Sequence, residues 1–204
     1  MDKREHWNKR YAGKALSWSG EPNALLESLL VNEPPGKGLD VACGEGRNAL
    51  WLASRGWRMD AIDFSEFGVA KASALAAEQS LDVNWITADV GRYHFAARQY
   101  DLVAIVFLHT GPEERKRWLP NVIDAVAPGG LFAYIAHDPC NITEGVGGPQ
   151  DASLLPSVDE VAGHLGDFDI YRAEIHSRSV AIDPGHGGAA DGFAKDSLVF
   201  ARRF

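Results

Sequence analysis

The chain has 204 residues, of which 46% are hydrophobic and 10% aromatic, and this is enough apolar material for the core of one domain. Its formal net charge of −8 argues against a nucleic acid as the main partner, because phosphate binding needs clustered positive charge. The only cysteines, Cys43 and Cys140, exclude a disulfide framework and a paired-cysteine zinc motif. We therefore expect no metal site.

The apolar runs of the sequence indicate the cellular location of the protein. The first residues lack the apolar stretch of a signal peptide, and the longest apolar run, residues 102–108, is too short to span a bilayer. We therefore expect a cytoplasmic protein with no role at a membrane. The sequence does not predict an oligomeric state.

The pattern of apolar residues predicts five strand-and-helix units followed by a hairpin. The predicted strands cover, in chain order, residues 38–43, 58–63, 83–88, 101–108, 131–136, 170–177 and 197–202. The predicted helices cover residues 22–31, 46–54, 65–79 and 112–126, with one more beginning after Ser157. Ser65 and Ser157 are placed to cap their helices.

A glycine-punctuated turn joins the first predicted strand to its helix. Gly44 and Gly46 remove side chains where a ligand must approach the backbone, and the amides that open the helix provide hydrogen-bond donors at its positive end. Asp40, one step inside the strand, is expected to orient the loop amides. The turn therefore indicates a site for a nucleotide-like cofactor.

Acidic residues follow the next two predicted strands. Asp63 lies one strand-and-helix unit after Asp40, and Asp89 lies one such unit after Asp63. An open α/β sheet places ligand groups along the carboxyl edge of its strands in this way. A turn or helix-capping aspartate is the structural alternative at each position.

These motifs resemble those of the class I S-adenosylmethionine-dependent methyltransferases over nearly the whole chain. The segments that carry the resemblance are residues 39–48, 60–65, 88–90 and 128–131, similar in turn to the first family motif, the ribose-binding strand end, the adenine-binding strand end and the turn before the fifth strand. Residues 7–11 and the Gly-Arg-Asn that ends at Asn48 resemble the small-molecule branch that includes the tellurite-resistance (TehB-like) and thiopurine methyltransferases. Ala42 stands where the family usually has its first glycine, and an extended backbone is expected to tolerate it.

The resemblance implies one α/β domain over residues 1–204, with a three-layer αβα Rossmann-like fold and a mostly parallel seven-stranded sheet that ends in a C-terminal antiparallel hairpin. Residues 1–33 would form a lid and a helix, residues 36–138 the cofactor-binding core, and residues 139–204 an acceptor-side helix and hairpin. S-adenosylmethionine is the implied cofactor, S-adenosylhomocysteine its product, and a small molecule the methyl acceptor.

The resemblance also assigns roles to individual residues. The implied cofactor-binding set is Trp7, Arg10, Tyr11, Ala42, Gly44, Gly46, Asn48, Asp63, Phe64, Ser65, Asp89, Val90 and Val106. In that set, Asp63 would accept hydrogen bonds from both ribose hydroxyls, and Asp89 with the Val90 amide would bind one edge of the adenine. Phe64 would pack on the adenine face, with a plain core role as the alternative.

The amino-terminal segment is the expected lid over the amino-acid end of the cofactor. Arg10 would pair with the methionine carboxylate, Tyr11 would hydrogen-bond beside it, and Trp18 would line the acceptor pocket. The alternative is that Trp7 and Tyr11 only attach the terminus to the core. The glycine-rich loops at residues 144–149 and around His186 are further expected walls of the pocket.

Two histidines are candidates for the catalytic base. His109 and His137 follow the fourth and fifth predicted strands, where this architecture opens its pocket, and either can take a proton at neutral pH. Histidines satisfied by backbone hydrogen bonds are the alternative. Asp138 is not expected to pair with His137, because adjacent strand residues point to opposite faces. A hydroxylated aromatic acceptor would benefit from such a base, whereas a thiolate or hydrochalcogenide would need only positioning.

Two other functions are compatible with the glycine turn. A nicotinamide-dependent oxidoreductase also uses such a turn with a ribose-binding acid, but alanines at positions 42 and 49 break its usual glycine pattern. A non-catalytic module that holds S-adenosylmethionine for sensing or assembly is the second alternative. The aromatic amino terminus and the loop at 144–149 favour an enzyme with an acceptor pocket.

Overall fold

The computed structural model describes residues 3–13, 15–180 and 192–204, so the predicted loop around His186 lies outside the described residues. The helices are α1 (Lys3–Tyr11), α2 (Ala24–Leu30), α3 (Arg47–Ser54), α4 (Glu66–Glu78), α5 (Pro112–Asp124), α6 (Asn141–Glu144) and α7 (Val158–Ala162), with a 3-10 turn at Ala152–Leu154. The strands are β1 (Lys37–Val41), β2 (Arg58–Asp63), β3 (Val83–Thr87), β4 (Tyr100–Val106), β5 (Val126–His137), β6 (Phe168–Ser179) and β7 (Phe193–Arg203).

The strands form one seven-stranded sheet in the order β3-β2-β1-β4-β5-β7-β6. Strands β1 to β5 are parallel, and β7 lies antiparallel between β5 and β6. Apolar residues of α2 and α3 cover one face of the sheet, and those of α5 and α7 cover the other. The three-layer, mostly parallel fold with an antiparallel C-terminal hairpin is therefore confirmed.

Short polar side chains begin several of the helices. The side chain of Asn23 accepts a hydrogen bond from the Leu26 amide at the start of α2. Ser65 does the same for Gly68 in α4, and Ser157 for Glu160 in α7. These contacts satisfy amides that have no partner within the helix, and they confirm both serine caps expected from the sequence.

The structure corrects several element boundaries; β7, for example, begins at Phe193 rather than at 197, which places Asp196 inside the strand. Helix α5 ends at Asp124 rather than at 126, and β5 begins at Val126 rather than at 131. Val126 pairs with Tyr100, and an irregularity before the Leu102–Leu131 pair accommodates the Pro-Gly-Gly segment within the strand. The sequence also gave no signal for α1, because this helix is polar on most sides and Tyr11 is its buried residue.

The sheet order determines where a ligand can enter. Strand β1 lies between β2 and β4, so the chain reverses its direction across the sheet beside β1. In open α/β sheets the crevice at such a switch point, outside the carboxyl ends of the strands, is the usual ligand site. The loops after β1 and β4 meet there.

Candidate active site

A cavity of about 650 Å³ opens at the carboxyl ends of β1 and β4. Its size is within the range of pockets that bind small molecules and cofactors. Ten residues singled out in the sequence line it: Trp7, Arg10, Tyr11, Trp18, Ala42, Gly44, Asn48, Val106, His109 and His137. Gly147, Gly148 and Pro149 add a further wall, as expected for the loop at 144–149.

The loop after β1 is built from residues with left-handed backbone angles. Ala42 has a φ of 60°, so the expectation of an extended conformation at this position is wrong. Gly44 also has a positive φ, and a Cβ placed there would lie 2.8 Å from the hydroxyl oxygen of Tyr11. Gly44 therefore keeps the loop backbone open to the cavity beside α1.

Gly46 has a different reason to be glycine. A Cβ at this position would lie 2.6 Å from the Trp85 ring and 2.8 Å from the Cβ of Ala72. Close packing of the loop against α4 and β3, together with a φ of 81°, thus explains why this position is glycine. Within the described part of the chain, Gly46 is not part of the cavity wall.

Asp40 supports the helix after the loop. Its buried carboxyl accepts a hydrogen bond from the Ala49 amide of α3 at 3.1 Å, whereas the sequence suggested a contact with the loop amides themselves. Burial raises the pKa of Asp40 from 3.8 to about 7, although this hydrogen bond and Arg47 favour the ionised form. Asp40 therefore holds α3 in place from inside β1.

We expect the Asp40→Asn protein to lose less stability than the wild type as the pH rises from 6 to 8. The native wild type binds more protons than the unfolded chain between pH 3.8 and about 7, so its free energy of unfolding falls as the pH increases. Asparagine can accept the same bond from Ala49 without ionising. Urea denaturation at both pH values should show a difference of about 1 kcal/mol between the two losses.

The control for this experiment is Asp101→Asn, which removes an exposed carboxylate that also accepts a backbone hydrogen bond, from Lys37. If the free energy of unfolding fell equally with pH in Asp40→Asn and in the wild type, the raised pKa of Asp40 would be contradicted.

Asp63 links the glycine loop to the start of α4. One carboxylate oxygen accepts a hydrogen bond from the Gly44 amide at 2.9 Å, and the other accepts one from the Ser65 amide at 2.8 Å. The side chain is only 5% exposed, and burial raises the pKa of Asp63 despite these hydrogen bonds. Asp63 thus contacts the cavity wall through Gly44, although its own side chain does not line the cavity.

The remaining predicted cofactor residues lie along the same sheet edge, outside the described cavity wall. The hydroxyl of Ser65 caps α4 and lies 2.6 Å from the side-chain oxygen of Asn8 in α1. Asp89 accepts a hydrogen bond from the Gly91 amide, and Val90 packs against the core. Phe64 is half-buried between β2 and α4. Ser65, Asp89 and Val90 therefore have local structural roles at the positions where the motifs suggest contacts with the cofactor.

Aromatic side chains gather around a cation at the mouth of the cavity. The guanidinium carbon of Arg10 lies 4.3 Å from the ring centroid of Trp18 and 5.7 Å from that of Trp7. Tyr11 stacks on Trp7 with 5.5 Å between centroids, and its hydroxyl accepts a hydrogen bond from the Trp18 indole. Cation–π contacts and stacking thus join α1 to the segment after it.

Glu45 anchors this covering segment to the loop. One of its carboxylate oxygens accepts the Ser17 amide at 2.8 Å, and the other lies 2.8 Å from the ammonium of Lys71. Lys71 also donates to the carbonyl of Ala15. The amino-terminal segment is therefore fastened over the cavity by a buried carboxylate and by a lysine of α4.

His109 is held as a neutral hydrogen-bond donor. Its Nε2 accepts the backbone N–H of His137 at 3.2 Å, which leaves the proton on Nδ1. Burial, with a contribution from His137, lowers the pKa of His109 to about 3. The next residue, Thr110, is fixed by hydrogen bonds from Arg115 and Trp118 of α5. His109 is thus a poor proton acceptor, and of the two candidates His137 is better suited to be a base.

His137 contacts a carboxylate that the sequence analysis did not identify. Its Nδ1 lies 3.0 Å from Oδ1 of Asp196, the residue that faces it across the antiparallel β5–β7 pair. Oδ2 of Asp196 accepts a hydrogen bond from Nε of Arg178 at 2.6 Å. Burial opposes ionisation of Asp196, but its contacts with His137 and Arg178 hold its pKa below the usual range. The sequence signal that could have identified Asp196 is an acidic residue directly before the apolar run of the last strand.

The surroundings of His137 are closely packed. The His109 ring stacks on it nearly in parallel at 5.3 Å, and the Phe107 ring lies 5.1 Å away. A Cβ at Gly148 would lie 2.4 Å from Cδ2 of His137, so the loop after α6 rests directly on the imidazole. Asp138 points elsewhere, to the Ser197 hydroxyl and the Cys140 amide, as expected for adjacent strand residues.

The chain is similar to known methyltransferases. Residues 39–130 match the family described as a methyltransferase domain. A 2-heptyl-1-hydroxyquinolin-4(1H)-one methyltransferase of Mycobacteroides abscessus is 26% identical over 183 residues, covering 87% of this chain and 79% of that protein. The chain is an S-adenosylmethionine-dependent methyltransferase with the class I fold. The nicotinamide and non-catalytic alternatives are thereby set aside.

Two further proteins are similar to this methyltransferase, one in sequence and one in fold. A ubiquinone biosynthesis O-methyltransferase of Rickettsia canadensis is 27% identical over 93 residues, which cover 46% of this chain and only 39% of that relative. The crystal structure of TehB from Haemophilus influenzae covers all of this chain and 68% of its own, with a TM-score of 0.71 and 19% identity. The likeness to TehB is one of fold.

The residues of the cavity fit S-adenosylmethionine, the cofactor of this family. At Gly44 a side chain would fill the gap between the loop and Tyr11, and the buried Asp63 carboxylate stands directly behind that loop. The described residues contain no cluster of acidic, histidine and cysteine side chains that could hold a metal ion. None of the helices in the described ranges is long and apolar enough to cross a membrane.

Proposed function

We propose that this methyltransferase transfers the methyl group of S-adenosylmethionine to a hydroxyl oxygen on a small aromatic heterocycle. The observation that carries the proposal is the contact between His137, which lines the cavity, and the buried carboxylate of Asp196. A histidine oriented by a buried carboxylate is the usual arrangement for removing a proton from a hydroxyl group. The relative from Mycobacteroides abscessus, named for a hydroxyquinolone, supports this class of acceptor.

The proposed cofactor site lies along the ends of β1, β2 and β3. Asp63 would bind the ribose hydroxyls, and Asp89 with the Val90 amide would bind the adenine, with Phe64 beside it. Arg10 and Tyr11, which already lie in the cavity wall, would contact the amino-acid end. When bound there, S-adenosylmethionine supplies an electrophilic methyl group carried on a sulfonium ion.

The acceptor would occupy the end of the cavity near β4 and β5. Phe107 and Trp18 provide flat walls for an aromatic ring, and the Nδ1–H of neutral His109 can donate to an oxygen of the acceptor. Nδ1 of His137 lies 3.0 Å from Asp196, so Nε2 is the atom that would take the proton of the acceptor in this proposal. Both histidines therefore have distinct roles toward one ligand.

The proposed reaction is a single displacement. The acceptor oxygen would form a bond to the methyl carbon of the bound cofactor, and the electron pair of the broken carbon–sulfur bond would stay on sulfur. The hydroxyl proton passes to Nε2 of His137 and later to solvent. Alignment of the reactants and exclusion of water by the amino-terminal segment would supply much of the remaining rate enhancement.

The proposal is tested by measuring release of S-adenosylhomocysteine with a panel of acceptors. The panel holds 1-hydroxyquinolin-4-ones, catechols, small thiols, and selenite or tellurite with a reductant, each against a blank without acceptor. We expect turnover on a hydroxylated heterocycle at least tenfold above that on thiols, because a thiolate gains little from a general base. Turnover confined to thiols or chalcogen species would contradict the proposal.

A further inference from the structure

The residue that follows strand β4 has a strained backbone. Phe107 has a φ of 59°, in the left-handed region that favours glycine, and a bulky residue adopts this conformation rarely. Glycine is the unstrained choice at such a position. Residues held in this way cluster at binding and catalytic sites, where the surrounding structure maintains the strain. The aromatic side chain of Phe107 therefore needs an explanation beyond the turn itself.

The left-handed backbone decides on which side of the sheet the Phe107 ring lies. The amide of Phe107 donates to the carbonyl of Ile135 in β5 at 2.7 Å, directly after the last β4–β5 pair, Val106 with Ile135. Extended residues alternate between faces, so an extended Phe107 would lie on the face of Val103 and Ile105. Instead it packs against the core cluster that contains Val106. The strain thus turns the ring to the side of Val106, which also lines the cavity.

The Phe107 ring lies in the cavity wall beside both candidate histidines. Its centroid is 5.1 Å from that of the His137 imidazole and 6.2 Å from that of His109, and the ring is tilted by 48° and 46° to them. The guanidinium carbon of Arg178 lies 5.2 Å from the same centroid. These contacts with residues of several elements hold the ring next to the groups proposed to handle the acceptor oxygen.

We propose that Phe107 is a specificity-determining residue that selects flat acceptors by stacking on their ring. This inference rests on the proposed function, in which His109 and His137 contact the acceptor oxygen. A flat ring that stacks on Phe107 is held beside both histidines. A saturated ring of the same size is puckered and loses the stacking contact, so it binds more weakly.

A plain packing role is the alternative for Phe107, since the residue also contacts apolar side chains of the core. Packing needs an apolar side chain of suitable size, but it does not need a flat one. Phe107→Leu keeps the apolar character and removes the ring, whereas Phe107→Tyr keeps the ring. These two variants therefore separate the two roles.

The first experiment measures the binding of two matched probes by calorimetric titration in the presence of S-adenosylhomocysteine. The probes are 1-naphthol and decahydro-1-naphthol, which share a carbon skeleton and a hydroxyl group and differ in flatness. We expect the wild type to bind the flat probe about fivefold more tightly than the saturated one. Phe107→Leu should lose this preference, and Phe107→Tyr should retain it.

The matched control is Phe95→Leu, the same substitution at a phenylalanine that is 3% exposed in the core and outside the described cavity wall. It should lower the free energy of unfolding and keep the preference for the flat probe. In turnover of a hydroxylated heterocycle, Phe107→Leu should raise KM more than it lowers kcat, because the proposed proton acceptor is still present.

A second pair of variants tests the strain in the backbone. Glycine destabilises relative to alanine at an ordinary position, but the order is reversed at a left-handed one. Phe107→Gly should therefore unfold at a higher urea concentration than Phe107→Ala. Equal midpoints for these two variants would contradict the role of the backbone.

Arg98 supplies the control for the second pair, since it is exposed, has a φ of 55° and lies outside the described cavity wall. Arg98→Gly should likewise be more stable than Arg98→Ala. Neither Arg98 variant should change the preference for the flat probe.

The outcomes separate this inference from the proposed function. A preference for the flat probe that is absent in the wild type, or that survives in Phe107→Leu, would overturn the role of Phe107 and leave the hydroxyl acceptor in place. A preference that is lost in Phe107→Leu while turnover is confined to thiols would support Phe107 as the selecting residue. That result would contradict methylation of a hydroxyl oxygen.

Discussion

Replacing His137 by asparagine is expected to lower kcat for a hydroxylated acceptor by about 10²- to 10⁴-fold, the usual contribution of a general base. The imidazole is the group in contact with Asp196 that can take the hydroxyl proton, and an asparagine amide cannot do so. Affinity for S-adenosylhomocysteine should stay within about threefold, because the cofactor contacts are proposed at the ends of β1 to β3. Steady-state rates and calorimetric titration measure the two quantities separately.

His109→Asn is the matched comparison for this variant. The two imidazoles stack on each other, but His109 accepts a backbone hydrogen bond and has a pKa of about 3. We expect it to raise the KM of the acceptor more than it lowers kcat, since its proposed role is to donate a hydrogen bond. A loss of kcat in His109→Asn larger than in His137→Asn would reverse the assignment of the two histidines.

Replacing Asp63 by alanine is expected to weaken S-adenosylhomocysteine binding at least 100-fold. The variant removes the proposed acceptor for the ribose hydroxyls and frees the Gly44 amide that Asp63 now holds. Two buried amides lose their partner, so the free energy of unfolding should also fall by about 1–3 kcal/mol. Calorimetric titration of the folded variant reports the affinity, and urea denaturation reports the stability.

Asp60→Asn is the control for Asp63, because Asp60 is on the same strand and accepts hydrogen bonds from Tyr100 and Asn84 away from the cavity. It should lose stability without losing cofactor affinity. Unchanged affinity in Asp63→Ala would remove the ribose from this position and with it the proposed orientation of the cofactor.

The two proposed halves of the site are built from different parts of the chain. The cofactor half uses loops that directly follow β1, β2 and β3, so each of its candidate residues belongs to a short local motif. The acceptor half joins His109 after β4, His137 at the end of β5, Arg178 from β6 and Asp196 from β7. Acceptor preference can therefore change through the hairpin while the glycine loop stays the same.

The sequence by itself determined the strand-and-helix pattern of the sheet, the caps Ser65 and Ser157, and the glycine loop. These features depend on the apolar period, on short-range hydrogen bonds and on turn residues, all of which act over a few neighbouring positions.

Only the tertiary structure decided the partners of the two histidines. Asp196 reaches His137 through the register of an antiparallel strand pair, and Arg178 reaches Asp196 across the next pair. It also decided the left-handed backbone at Ala42 and the packing reason for Gly46, the latter because α4 and β3 lie directly beside that position. Register and packing are long-range properties, and a local pattern of residue types does not encode them.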